Sequence, residues 1–133
     1  MVSRLCGLAS GLFGLSAVVL GALGAHLLGE RLELHHGAAN FDRAKLYLFI
    51  HSLILAAVTL QLSWRPTRLA SASGLCFLFG TVGFAGSLLV VSLTGWKPIT
   101  NITPFGGVLL MSGWLLWAAN GALLRPEKAL DEH

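Results

Sequence analysis

Residues 5–29 read LCGLASGLFGLSAVVLGALGAHLLG, twenty-five positions without a charged side chain. As a helix rising ~1.5 Å per residue, this run outreaches the ~30 Å hydrocarbon core of a bilayer. Three more charge-free runs follow: Leu46–Trp64 (19 residues), Leu69–Trp96 (28) and Pro98–Leu124 (27). The 15 Lys, Arg, Asp and Glu of the 133-residue chain are confined to residues 1–4, 30–45, 65–68, position 97 and residues 125–133. Charged residues make up 11% of the chain, against about 25% in a typical soluble domain. The composition excludes an ordinary soluble domain, a disordered chain and a disulfide scaffold. It predicts an all-α, four-helix transmembrane bundle, with residues 1–133 forming a single integral membrane domain.

The expected spans are about 5–28, 45–63, 69–93 and 103–124. The first run resembles a signal peptide in its basic start and small residues, but it is longer than a typical h-region and reads as a transmembrane helix. Gly7, Gly11, Gly14 and Gly21 recur along it near a heptad spacing, which predicts a helix-packing seam. Gly80, Gly83, Gly106 and Gly113 predict similar small-residue faces on spans 3 and 4. Between spans 1 and 2, the polar residues 30–45 predict a short interfacial helix or an N-terminal extension of span 2 starting near Gly37. Trp64 reads as an interface anchor and Pro66 as the stop of span 2. Thr103 and Pro104 suit the start of span 4 as N-cap and first helical residue.

Four spans put both termini and the 65–68 turn on one side. That side carries Arg4, Arg65, Arg68, Arg125 and Lys128; the other carries Arg31, Arg43, Lys45 and Lys97. The purely basic 65–68 turn decides for termini on the cytoplasmic or matrix side. The net charge of +3 is spread too thinly to mark a nucleic-acid surface. Cys6 and Cys76 read as small buried residues rather than a redox pair.

No acidic or basic side chain falls deep in a span, which argues against pumps and ion carriers. Histidines, hydroxyls and amides are what remain for chemistry. His26 lies four residues before Glu30 and His51 six residues after Lys45, which predicts that they meet just inside the non-cytoplasmic face. Tyr47 shares the helix face of His51, with Ser87 and Thr103 on the other spans. This set reads as a mutually satisfied polar cluster, as a pocket for a quinone, lipid or other small ligand, or as haem ligation. His35 and His36 read as solvated loop residues and His133 as a tail residue. No catalytic constellation, phosphate loop, metal site or cofactor motif stands out, which predicts a chain that is not an enzyme.

Several stretches carry a resemblance: Gly21-Ala22-Leu23-Gly24-Ala25-His26, then Phe41-x2-Ala44-x2-Tyr47-x3-His51, then Gly86-Ser87-Leu88 with Thr94-Gly95, then Ile102-Thr103-Pro104-Phe105-Gly106-Gly107 with Gly113-Trp114. In this order they resemble the family catalogued as domain of unknown function 423, which includes the transmembrane protein 256-like proteins. Members often carry Gln after the Tyr and an aromatic before the His, where this chain has Leu48 and Ile50. The resemblance implies a four-helix protein of the bacterial inner membrane or, in eukaryotes, of mitochondria, and supplies no activity. Together with the glycine faces it leads to the expectation of an accessory or interaction subunit in contact with membrane lipids and other membrane subunits. A ligand binder at His26 and His51 is the alternative, and an oligomeric small-solute transporter the third reading.

Overall fold

The computed structural model describes residues 1–124. The expectations placed on Arg125, Lys128 and His133 lie outside those residues. Helix α1 spans Val2–His26, a short α2 spans Gly29–Leu34, α3 spans Ala38–Trp64, α4 spans Arg68–Thr94 and α5 spans Thr103–Leu123. A 3-10 turn over Lys97–Asn101 joins the last two. The described residues thus form an all-α bundle with four helices long and apolar enough to cross a membrane, and a short helix between the first two.

Both alternatives for the 30–45 stretch are realised. Leu32 anchors α2 by burial, and α3 starts right after Gly37. This is the N-terminal extension of span 2 expected from Gly37. The charged residues at the start of α3 do not interrupt the helix, because Asp42 and Lys45 form an ion pair at 2.8 Å and the Lys45 Nζ sits 5.2 Å over the Phe41 ring. Gly37 makes this entry possible, since a Cβ there would run into the Ser92 backbone. His35, expected to be solvated, instead packs its ring against Gly95.

Arg65, extended ahead of Pro66, ends α3. The Thr67 hydroxyl caps α4 by accepting from the Ala70 N–H at 3.1 Å. Gly95 closes α4 in the left-handed conformation at φ 68°, where a glycine carries no steric cost. At α5 the cap falls on Ile102, one residue earlier than expected, so Thr103 is the first helical residue and Pro104 the second. The Thr103 hydroxyl, at 2.7 Å from the Ser87 hydroxyl, is held across the bundle instead of turning back to cap its own helix.

The spans follow one another as α1 on α3, α3 on α4 and α4 on α5, with α1 also touching α4. Among the described residues neither α1 nor α3 brings its backbone close to α5. The ring of helices is therefore open, with α4 the most buried span and α1 and α5 the least. Apolar burial gives no preference between a helix and lipid tails, so close packing and hydrogen bonds must hold such a bundle together. The α1–α3 seam shows both. Gly7 faces Thr59 and Gly14 faces Ser52, while Ser10 donates to the Ser52 carbonyl at 2.8 Å. At Gly11 and Gly21 the space is open, with nothing within 4 Å of where a Cβ would stand. On the α4–α5 seam, Gly80 faces Leu110, Gly113 faces Phe77, and Gly83 and Gly106 let the two backbones meet directly.

Candidate functional site

The stripe Phe41, Ala44, Leu48, His51, Leu55 and Val58 repeats at three and four residues and turns one side of α3 into the bundle. His51 sits thirteen residues from either end of α3, at its middle, and is 3% exposed. Its Nδ1 lies 2.8 Å from the Tyr47 carbonyl oxygen one turn back. Its ring stacks with Tyr47 (centroids 5.6 Å apart) and meets Phe77 of α4 at 5.7 Å and Trp114 of α5 at 6.3 Å. Tyr47 in turn packs on Phe84 at 4.4 Å.

These aromatic rings keep α3 and α5 apart and leave a recess of about 230 Å3, lined by Tyr47, His51, Phe84, Gly107, Leu110, Met111 and Trp114. His51 lines this recess, and its Nε2, closed off from solvent, has no hydrogen-bond partner. Leaving such a group unsatisfied costs about 1–3 kcal/mol. An apolar cavity of ~150 Å3 accepts benzene, so this recess has room for one substituted ring and not for a macrocycle such as haem. Among the described residues no three His, Cys, Asp or Glu come together to hold a metal ion.

The structure does not bring His26 to His51. His26 is exposed at the end of α1, two residues past Gly24, which packs on Phe41. His51 is ten residues beyond Phe41, about 15 Å further along α3, and faces α4 and α5 rather than α1. His51 stands at the middle of α3 and His26 at the end of α1. Tyr47 does join His51. Ser87 and Thr103 form their own pair, and Ser87 also donates to the Phe84 carbonyl at 2.9 Å.

Sequence reasoning overlooked Phe77, Phe84, Leu110 and Trp114 as walls of this site. It also overlooked a polar clamp at the other end of the bundle. There Thr67 donates to the Asn120 Oδ1 at 2.6 Å, and the Asn120 Nδ2 donates to the Gln61 Oε1 at 2.9 Å, tying α3, α4 and α5. Two amides inside apolar runs were the signal for it, since an amide facing lipid would be unsatisfied.

Four apolar helices, hydroxyl–carbonyl bonds between them and a histidine-lined recess at their centre define a small integral membrane protein. A family described as a protein of unknown function (DUF423) matches residues 20–107, and the chain belongs to it. That match takes in His51, Tyr47, Phe84 and Gly107 and ends before Trp114. A UPF0382 membrane protein of Staphylococcus saprophyticus is 37% identical over 100 residues, covering 75% of this chain and 82% of the relative. One from Schizosaccharomyces pombe is 32% identical over 106 residues, covering 77% and 89%. The inner membrane protein YgdD of Escherichia coli is 28% identical over 128 residues, covering 94% and 95%. No solved structure gives a significant match.

Proposed function

We propose that this chain is a non-enzymatic membrane protein that takes a lipophilic small molecule from the bilayer into the recess between α3, α4 and α5. The observation carrying this reading is that His51, whose buried Nε2 has no partner, lines an aromatic-walled recess. Binding sites for small molecules combine apolar walls with a few placed polar groups, and a group left unsatisfied by the fold is available to a ligand. The α3–α5 side, where backbones do not meet, gives a route from the lipid.

The test is extraction of small molecules from protein purified in mild detergent from its native membrane. A Cβ at Gly107 would meet the Phe84 ring at an ordinary 3.7 Å, so Gly107→Leu fills the recess without a backbone clash. The wild type is expected to carry a stoichiometric lipophile that Gly107→Leu lacks, with both proteins folded. Identical extracts from the two would contradict the reading.

A second reading, an accessory subunit of a larger membrane complex, is supported by the openness of the bundle: α1 and α5 are its least buried spans and do not pack on each other. Recovery of a lone monomer under the same mild conditions would contradict it. For either role we place the chain in a bacterial inner membrane or a mitochondrial inner membrane with its termini on the cytoplasmic or matrix side. The basic 65–68 turn supports that orientation. Labelling of a cysteine introduced at Thr67 from the cytoplasmic side alone is the expected result.

A further inference from the structure

We infer that the recess selects a ligand that donates a hydrogen bond, an aromatic hydroxyl compound such as a hydroquinone head rather than its oxidised quinone. The inference rests on the binding reading above and deepens it. It starts from the proton on His51. The Nδ1 partner, the Tyr47 carbonyl oxygen at 2.8 Å, can only accept, so Nδ1 carries the hydrogen. The recess wall holds no carboxylate to stabilise a second proton on the ring: its other residues are Tyr47, Phe84, Gly107, Leu110, Met111 and Trp114. Among the described residues the acidic side chains are Glu30 and Glu33 in α2 and Asp42 near the start of α3, the last already paired with Lys45. The ring is therefore neutral and its Nε2 carries a lone pair without a partner.

An acceptor in this position is satisfied by an O–H or N–H and by nothing that only accepts. A quinone offers two carbonyl oxygens and would leave Nε2 as it stands; a hydroquinone offers two hydroxyls. The walls favour a flat ring, because Tyr47, Phe84 and Trp114 can meet it face-on or edge-on. The volume of about 230 Å3 limits the occupant to one such ring, with any tail leaving through the α3–α5 gap.

The experiment measures binding of three matched probes to the full chain in nanodiscs under anaerobic conditions: trimethylhydroquinone, its dimethyl ether and trimethylbenzoquinone. Gly107→Leu supplies the background of partition into lipid. The hydroquinone is expected to bind the wild type about tenfold more tightly than the ether or the quinone, the worth of one buried hydrogen bond. His51→Phe is expected to bind all three alike. Equal binding of the three probes to the wild type would overturn the inference while leaving the recess as a binding site. It would mean that Nε2 is satisfied from within, for instance by the Trp114 indole N–H. A preference for the quinone would overturn it as well. Binding of none of them above the Gly107→Leu background would overturn the binding reading and this inference together.

Discussion

Helix α3 has two differently built sides. Towards α1 it is lined with small residues and hydroxyls: Ser52 and Thr59 stand over Gly14 and Gly7, Ser10 reaches the Ser52 carbonyl, and Thr59 donates to the Leu55 carbonyl at 2.7 Å. Towards α5 it carries Tyr47 and His51, whose rings hold the two helices apart and leave a nitrogen without a partner. In a membrane, where apolar contact with lipid is as good as apolar contact with protein, small residues make seams and large rings make gaps. The first side is built for cohesion, and the second leaves hydrogen-bonding capacity unused.

Substitutions on the two sides should therefore behave differently. The largest effect is expected at Gly74, where α4 meets both α1 and α3. A Cβ there would stand 2.7 Å from the Cys6 Sγ and 3.0 Å from the Val58 Cγ1, both fully buried. Gly74→Val should cost about 3 kcal/mol in reversible unfolding by SDS, and a loss below half of that would show the closed side to be softer than its contacts imply. Ser10→Ala removes one interhelical hydrogen bond and should cost about 0.6 kcal/mol in the same assay. His51→Phe should change stability least, by less than about 0.5 kcal/mol in either direction, because it removes an unsatisfied acceptor along with the bond to Tyr47. A loss at His51 larger than that at Ser10 would erase the contrast between the two sides.

The four spans and their order were legible because charge is excluded from hydrocarbon and the charges of this chain fall in tight groups. So was the extension of α3 back to Gly37, and the helix continues through its charged first turns with Asp42 and Lys45 paired to each other. The expected meeting of His26 and His51 came from counting residues to the nearest charge, which fixes neither the depth of a side chain nor the helix it faces. The stripe from Phe41 to Leu55 indicated that His51 turns inward, but a period of 3.6 says nothing about which helix it meets; Phe77 and Trp114 supply that. Likewise the heptad of glycines in α1 does not say where a neighbouring helix comes close. Gly7, Gly14 and Gly21 share a face near Ser10, yet only Gly7 and Gly14 have α3 side chains within contact; around Gly11 and Gly21 the space is open.

The central claim, that the α3–α5 recess takes a ligand, is tested most directly through Trp114, which borders it. The chain has four tryptophans, so Trp64, Trp96 and Trp117 can be replaced by Phe to leave Trp114 as the sole reporter. Titration with trimethylhydroquinone in nanodiscs should then change its fluorescence saturably, at one ligand per chain, and the saturable component should vanish when Gly107→Leu fills the recess. A response that stays linear and identical with the recess open or filled would contradict the account.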